Sequence, residues 1–264
     1  MNRRNMVAGG LGLAALAGDA AAQPSAPRRA PIVLVHGAWH GGWCWSRIKP
    51  RLEAAGHAVT TPTLTGLGER RHLMSRSVVL DTHIQDVVQH IENEELNDVV
   101  LVGHSYGGFV VTGAVELLGT RVSHLILLDA FFPLDGETVN KYAGEQSTIE
   151  RNAKAVVDPN WNIPPLTAAD FGVTDKADAA WLDSRMSAQP FGTYAQPIRL
   201  PKGVGHLARR SYISCDDPGM VFFDETRNRI KADASWRYVG LKAPHDAMVT
   251  HPQLLSDTLL QLIA

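Results

Sequence analysis

The stretch VGHSYGGF, residues 102–109, holds one serine between two glycines in the spacing Gly-x-Ser-x-Gly. The apolar run Val99–Val102 before it is typical of a buried parallel strand, and Phe109–Leu118 after it predicts an apolar helix. A serine at such a junction is strained, its hydroxyl is exposed, and the helix start favours developing negative charge. Gly-x-Ser-x-Gly alone is common by chance, so it is this context that favours Ser105 as a nucleophile over an ordinary turn residue.

Short apolar runs and helix-like segments alternate on both sides of this junction. Strands are predicted at 32–36, 57–64, 99–102, 125–131, 211–215 and 236–241, and helices at 43–56, 82–95, 109–118, 221–232 and 252–263. This alternation predicts an α/β domain over residues 31–264 with a mostly parallel, doubly wound sheet. Residues 134–205 interrupt the alternation with more proline and glycine, which predicts an inserted cap of short helices. Sites in such sheets form beyond the carboxyl ends of the strands.

The first residues have the layout of an export leader. Arg3 and Arg4 precede the apolar residues 6–17, and three alanines at 20–22 offer a cleavage site. We therefore predict a leader over residues 1–22, of twin-arginine type with the Sec route open, and a flexible tether over 23–30. The prediction places the mature protein in the periplasm or outside the cell, without a stable membrane anchor.

The composition narrows the range of partners. The chain has 264 residues and a formal net charge of −2, which gives no electrostatic case for binding nucleic acid. Cys44 and Cys215 are expected to be two buried thiols, although a disulfide stays open in an exported protein. Metal-binding Cys-x-x-Cys spacing does not occur, so no metal or cofactor is expected. A homodimer stays open.

A serine hydroxyl needs a base, and in this type of sheet the chain order is serine, acid, histidine. His245 lies just past the predicted strand 236–241 and should reach the carboxyl edge. His124 and His206 precede strands and so belong to the opposite edge, while His251 is expected to pack or to cap a helix. His245 is therefore the predicted base.

Three aspartates compete for the role of the acid that orients His245. Asp217 and Asp216 both follow the predicted strand 211–215 at the correct edge, and Asp129 ends the strand after the nucleophile helix. Asp246 is adjacent to His245 and would have poor geometry. We favour Asp217, then Asp216, then Asp129. The alternative roles are a turn aspartate for the pair and a cap-anchoring hydrogen bond for Asp129.

The reaction also needs two donors for a developing oxyanion. The backbone N–H of Tyr106, directly after the nucleophile, is the first predicted donor. The second is expected from the loop after the first strand, where Gly37 permits the turn and Ala38 supplies the N–H group.

Three blocks of sequence resemble the esterase branch of the α/β-hydrolase fold. They are VLVHGAWHGGWCW (33–45), LVGHSYGG (101–108) and PHDAMVTHP (244–252). This branch includes plant methylesterases, hydroxynitrile lyases, and bacterial pyrethroid and carbamate hydrolases. The resemblance runs from about Ile32 to the C-terminus, is weakest in the cap, and implies catalytic roles for Ser105 and His245 and oxyanion roles for Ala38 and Tyr106.

The resemblance leaves the acid open and bears on the type of reaction. The family's acid lies 28 residues before the histidine, at Asp217, whereas alignment forward from YISC places Pro218 there. The lyases carry a lysine after the histidine and a threonine in the oxyanion loop, where this chain has Asp246 and Ala38. An anionic residue would not stabilise departing cyanide, so ester hydrolysis through an acyl-enzyme is favoured. A lyase and a non-catalytic ligand-binding homologue remain the alternatives.

Aromatic side chains predict an apolar pocket for a small to medium hydrophobic or aromatic ester. Each of them could equally pack in the core of the cap or of the domain. The candidate walls are Trp39, Trp161, Phe171, Trp181 and Phe191, together with Tyr194.

Overall fold

The computed structural model describes residues 29–142, 144–157, 162–207 and 209–264. The predicted leader, most of the tether and Trp161 lie outside the described residues. These residues form eight strands, which are β1 Ile32–Val35, β2 Val59–Thr60, β3 Val99–His104, β4 Val122–Leu128, β5 Asn162–Ile163, β6 Gln189–Pro190, β7 Arg209–Cys215 and β8 Arg237–Leu241. The same described residues form ten α-helices, which are α1 Lys49–Ala54, α2 Leu80–Asn93, α3 Gly107–Leu118, α4 Val139–Tyr142, α5 Glu145–Val157, α6 Lys176–Asp183, α7 Gly192–Ala195, α8 Asp224–Lys231, α9 Ala247–Thr250 and α10 Pro252–Ile263.

Six strands form a parallel sheet in the order β2-β1-β3-β4-β7-β8. Side chains alternate between the two faces, as the pleat of a strand requires. Within β1, Val33 and Val35 join the core under α2 and α3, whereas Ile32 and Leu34 join the core under α1 and α10. Both faces are therefore covered by helices, which confirms the predicted doubly wound α/β fold.

Two predicted elements are shorter than expected because of proline. The predicted strand 57–64 is reduced to the edge strand β2, since Pro62 has no N–H to continue a ladder. The predicted helix 43–56 divides into the 3-10 helix Gly42–Trp45 and α1, which has Pro50 in its first turn. A proline is tolerated in that position because the N–H that it lacks would have no helical partner.

The cap lies between β4 and β7 and contains four of the helices, α4 to α7. It also holds an antiparallel pair, β5 with β6, and the 3-10 helix Ala168–Phe171. Phe171 and Leu182 form a small apolar cluster against which Trp39 packs. The cap is thus seated on the loop that follows β1, so its side chains can influence that loop.

The described residues bear on two further predictions, the state of the two cysteines and association with a membrane. Cys44 and Cys215 are both free and buried, so the expected thiols are confirmed. Among the described helices, none combines the length and the hydropathy that a bilayer span requires.

The loop and the residues expected to act as oxyanion donor, nucleophile, acid and base follow parallel strands at one edge of the sheet, whereas most of the described candidate pocket walls belong to the cap. The loop 36–40 follows β1, Ser105 follows β3, Asp129 follows β4, Asp216 follows β7, and His245 follows β8 at a distance of a short turn. Carboxyl ends of parallel strands meet at the same edge, which brings residues distant in sequence together.

Candidate active site

Ser105 lies in a sharp turn between β3 and α3. Its φ of 54° is in the left-handed region that a non-glycine residue adopts only under constraint. A Cβ on Gly107 would lie 2.7 Å from the carbonyl oxygen of His36, and a Cβ on Gly103 would lie 2.5 Å from Val111. The two glycines are therefore needed because β1 and α3 approach this turn too closely for a side chain, and the structure has the predicted strand–turn–helix junction.

The Ser105 backbone also joins the turn to the end of β4. Its N–H donates to the carbonyl of Leu128 at 3.2 Å, and its carbonyl accepts from the N–H of Phe131 at 3.2 Å. Asp129 lies between these two residues and has a φ of 39°. The turns after β3 and β4 are thus hydrogen-bonded side by side, which holds Ser105 beside Asp129.

His245 reaches the same edge from the turn after β8. Its Nδ1 lies 2.7 Å from Asp129 Oδ2, and its ring is only 2% exposed. The ring stacks on Phe223 at a centroid distance of 5.1 Å and on Phe171 at 5.7 Å. Within the described residues no hydrogen bond joins Ser105 to His245. In a serine hydrolase without substrate that bond is often long.

Asp129 is fully buried and is held by three groups. Besides His245, Arg227 Nη2 donates to Asp129 Oδ1 at 2.7 Å and the N–H of Cys215 donates to it at 3.3 Å. Burial opposes the charge of Arg227, but the Asp129 carboxylate raises the pKa of Arg227 above its ordinary value. The guanidinium of Arg227 therefore stays charged next to Asp129, and it balances the negative charge of this carboxylate in a place that water does not reach.

The structure corrects the preference for Asp217 over Asp129 as the partner of His245. Asp216 and Asp217 have exposed side chains, and Asp216 pairs with Gly219 in a turn whose backbone stays bonded to Leu241 and Ala243. The Asp216 carboxylate instead accepts from Ser214 Oγ at 2.5 Å. The residues Asp-Asp-Pro-Gly at 216–219 are typical of a turn, which is the sequence signal that could have lowered the rank of this pair.

Three carbonyl groups of the loop 36–40 accept hydrogen bonds. Gly37 O accepts from His36 Nδ1 at 2.8 Å, Ala38 O accepts from His40 Nδ1 at 2.6 Å, and Trp39 O accepts from the N–H of Ser187 at 2.9 Å. By contrast, among the described groups none accepts a hydrogen bond from the N–H of Ala38, nor from that of Tyr106. These two donors are available to a ligand oxygen.

A buried ion pair lies behind this loop. His40 Nε2 is 3.1 Å from Asp246 Oδ2, and the two side chains are 1% and 0% exposed. Burial opposes both charges, yet Asp246 raises the pKa of His40, and His40 lowers the pKa of Asp246. Asp246 therefore serves as the counterion of His40. Sequence reasoning had missed three residues. His40 lies within the block 33–45 but had no role assigned to it, whereas Arg227 and Gln189, which accepts from the N–H of Trp39 at 3.1 Å, belong to no recognisable local motif.

Two further histidines support the site as neutral rings. Burial lowers the pKa of His36 to about 3, and its Nε2 accepts from the N–H of Leu64. Burial lowers the pKa of His83 to about 4; its Nε2 donates to Thr65 O, so its Nδ1 accepts from the Tyr106 hydroxyl at 2.9 Å. The His36 ring thereby bonds the backbone next to Ala38, and the His83 ring holds the side chain of Tyr106.

These lowered pKa values predict that the fold loses stability in mild acid. In the unfolded chain His36 and His83 bind protons near pH 6.5, whereas in the folded protein they do so only near pH 3 and 4. Their contribution is therefore complete above pH 6.5 and is lost as pH falls. From pH 8 to pH 5 we expect a loss of about 4 kcal/mol from the two rings together, at about 1.4 kcal/mol per pH unit for each.

The measurement is the unfolding free energy from urea titrations at pH 8, 6.5 and 5. His40 acts in the opposite sense, because its raised pKa adds stability that is complete below pH 6.5 and declines at higher pH. His72 is exposed, so a His72→Gln variant should follow the wild-type pH dependence. A free energy that stays constant or rises toward pH 5 would contradict the neutral state of the buried rings.

Of the predicted pocket walls, Trp39 and Phe171 lie at the site, whereas Phe191 and Trp181 pack elsewhere. Trp39 packs on Phe171 at a ring distance of 6.0 Å, and Phe171 in turn covers His245, so both lie at the site. Phe191 is buried at the start of α7 in the core cluster that includes Tyr106. Trp181 packs on Trp43 and has two guanidinium groups over its ring, those of Arg47 and Arg185. Its contacts are therefore away from His245.

One group among the described side chains has the composition of a metal site. Potential ligand atoms of His104, His245 and Asp246 lie within 4.8 Å of one another. However, His104 Nε2 donates to the carbonyl of His245 at 3.2 Å, and His245 Nδ1 faces Asp129. Burial also lowers the pKa of His104 well below its ordinary value, as expected of a neutral ring in a hydrogen-bonded network.

Comparisons with known proteins extend over most of the chain. Residues 32–258 match the alpha/beta hydrolase family. A carbendazim hydrolyzing esterase of Nocardioides sp. (strain SG-4G) is 38% identical over 242 residues, which cover 88% of this chain and 99% of the relative. Methylesterase 7 of Arabidopsis thaliana is 28% identical over 250 residues, covering 88% and 95%. The structure of an extracellular alpha/beta-hydrolase from a Paenibacillus species has a TM-score of 0.78 at 23% identity, covering 88% and 98%.

Proposed function

This chain belongs to the alpha/beta hydrolase family, and on that basis we propose that it is a serine carboxylesterase with Ser105, His245 and Asp129 as its triad. The observation that carries the proposal is the buried 2.7 Å contact between His245 and Asp129 at the sheet edge where the strained Ser105 turn lies. The three residues occur in the chain order serine, acid, histidine that this fold uses.

In the proposed mechanism His245 Nε2 takes the proton of Ser105 as Oγ attacks the ester carbonyl. Asp129 accepts the Nδ1–H bond, which fixes the tautomer of His245 and stabilises the imidazolium that forms. Arg227 stays paired with the other carboxylate oxygen, Asp129 Oδ1. Asp129 is thereby kept as the acceptor that His245 needs.

The tetrahedral oxyanion receives hydrogen bonds from the free N–H groups of Ala38 and Tyr106. Collapse of the intermediate breaks the bond to the alkoxy oxygen, and the alcohol leaves with the proton held by His245. Water then gives a proton to His245 and attacks the acyl-Ser105 carbonyl. Collapse of this second intermediate breaks the bond to Ser105 Oγ, which takes the proton back from His245 as the carboxylic acid is released. Donors in fixed positions do not have to reorganise as the negative charge develops on the oxyanion, and for this reason they lower the barrier.

The walls of the site support an apolar or aromatic substrate. Phe171 and Phe223 stack on the ring of His245, Trp39 packs on Phe171, and Trp39 also contacts Tyr194 at 6.3 Å. The Trp39 ring is oriented by its Nε1–H, which donates to the carbonyl of Ile163 at 3.1 Å. We propose small to medium aromatic esters as substrates and include aryl carbamates because of the name of the Nocardioides relative.

Cyanohydrin cleavage is the weaker alternative. The position after His245 is Asp246, a fully buried carboxylate bound to His40, so no cation stands there to receive cyanide. A non-catalytic binding role is weaker as well, because it gives no reason for a strained serine beside a buried histidine–aspartate pair.

The experiment combines a substrate panel with a covalent probe. We expect hydrolysis of p-nitrophenyl acetate and phenyl esters, no cyanide release from mandelonitrile, and a fluorophosphonate adduct on the peptide that contains Ser105. The Ser105→Ala variant is the control and should take up no probe. Labelling at a different residue, or cyanide release faster than ester hydrolysis, would overturn the proposal.

A further inference from the structure

The peptide unit between Ala38 and Trp39 is held at both of its polar groups by buried side chains. Its carbonyl accepts from His40 Nδ1 at 2.6 Å, and its N–H donates to Gln189 Oε1 at 3.1 Å. Trp39, the residue that follows, has a φ of 64°. A non-glycine residue keeps such a conformation only where its surroundings hold it, and here two side chains hold it from opposite sides.

The hydrogen bond to the carbonyl of this peptide, together with the bond to Asp246, depends on the His40 ring carrying a proton on each of its two nitrogens. Its Nδ1 faces the carbonyl of Ala38 and its Nε2 faces the carboxylate of Asp246, and both of these are acceptors without a proton. His40 therefore donates from both nitrogens as an imidazolium, and Asp246 is the counterion that allows this charge in a buried place. Without the carboxylate, the ring would keep a single proton and lose one of the two bonds.

The acceptor for the N–H of this peptide comes from the cap. Gln189 begins β6 and is fully buried. Its Nε2 donates to Thr193 Oγ1 at 2.7 Å, and Thr193 uses its own hydroxyl proton on the carbonyl of Pro190. Because Thr193 is committed as the acceptor, the amide of Gln189 has one orientation, with Oε1 toward Trp39.

We infer that the His40–Asp246 pair and Gln189 are positioning residues that fix the Ala38–Trp39 peptide and thereby aim the N–H of Ala38 at the oxyanion. The inference rests on the proposed function, in which that N–H is an oxyanion donor. A peptide plane that cannot rotate limits the backbone angles of Ala38, and so the direction of the preceding N–H. The cap thus contributes a buried side chain to the geometry of the oxyanion site.

The test uses variants that remove each of these hydrogen bonds with little change in side-chain volume. Gln189→Met deletes the acceptor for Trp39, and Asp246→Asn removes the charge that keeps His40 doubly protonated. Gln196→Met is the matched control, since Gln196 also joins the cap to the domain, through Asp81, at the start of α2. Each variant is compared with wild type by circular dichroism and thermal melting.

We expect Gln189→Met and Asp246→Asn each to lower kcat for p-nitrophenyl acetate by about 10- to 100-fold with KM within about threefold. Affinity for a trifluoromethyl ketone, which forms a tetrahedral oxyanion on serine, should fall by the same factor as kcat. Gln196→Met should stay near wild type. The double variant should lose much less than the product of the single losses, because both residues act on one peptide.

Two results would overturn the inference while leaving the proposed function in place. The first is an active wild type whose Gln189→Met and Asp246→Asn variants keep their kcat and ketone affinity. The second is an equal loss in Gln196→Met, which would indicate general loosening of the cap. A wild type without esterase activity and without probe labelling at Ser105 would instead overturn both proposals.

Discussion

Replacing Ser105 with alanine is expected to lower kcat for p-nitrophenyl acetate by about 10⁵-fold or more, because no other group can form the acyl-enzyme. The free N–H groups of Ala38 and Tyr106 remain in this variant, so a small residual rate above that of water is expected. Ser105 lies in a turn held by its backbone hydrogen bonds to Leu128 and Phe131, which alanine retains. The fold should therefore persist while turnover is lost.

The measurement is steady-state kinetics together with a thermal melt of the same preparation. The exposed Ser46 provides the matched control, since Ser46→Ala removes an identical hydroxyl far from the triad and should be fully active. If the Ser105→Ala variant kept more than about a hundredth of the wild-type rate with its fold intact, the serine mechanism would be wrong.

Replacing Asp129 with asparagine is expected to lower kcat by about 10⁴-fold, whereas Asp217→Asn and Asp216→Asn should stay near wild type. An asparagine amide can donate to His245 Nδ1, which selects the tautomer that cannot accept the Ser105 proton. In the wild type the other carboxylate oxygen of Asp129 pairs with Arg227, so the variant also removes the buried counterion of Arg227 and leaves it only the exposed carboxylate of Asp224 among the described groups. We therefore expect a loss of stability of about 3–5 kcal/mol in addition to the loss of activity.

The two effects are separated by measuring kcat and thermal unfolding in parallel, at a temperature well below the midpoint of the Asp129→Asn variant. Asp216 and Asp217 are exposed, so their asparagine variants test the same chemical change without the buried contacts. Full activity in Asp129→Asn together with a large loss in Asp217→Asn would restore the order of preference that the sequence favoured.

The fold was predictable because its signals are local. Alternating apolar runs and helical spacing set the order of strands and helices, and most of the predicted strands are present in the sheet. The exceptions involve proline: Pro62 ends β2 early and Pro50 starts a separate helix after the 3-10 turn. Both prolines are visible in the sequence. The effect of Pro62 depends on whether the neighbouring strand needs the missing N–H group, and the effect of Pro50 depends on where in the helix it lies.

The candidate site was predictable where a residue follows its own strand or lies in its own motif. Ser105 and Ala38 belong to short motifs with characteristic glycines, and His245 follows the last strand closely. The pairing of His245 with Asp129 has no such signal. Asp216 and Asp217 also end a strand at the correct edge, and only the turn at 216–219, which carries them into solvent, separates them from Asp129.

The sequence by itself determined the order of the elements, the strained nucleophile turn and the edge of the sheet at which the site forms, since each depends on neighbours within a few residues. Only the tertiary structure decided which side chains meet. His245 contacts Asp129 across 116 residues, Trp39 contacts Gln189 across 150, and His40 contacts Asp246 across 206. A hydrogen bond requires two groups within about 3 Å in a fixed orientation. For residues so far apart in the chain, the order of the strands and the seating of the cap create that proximity.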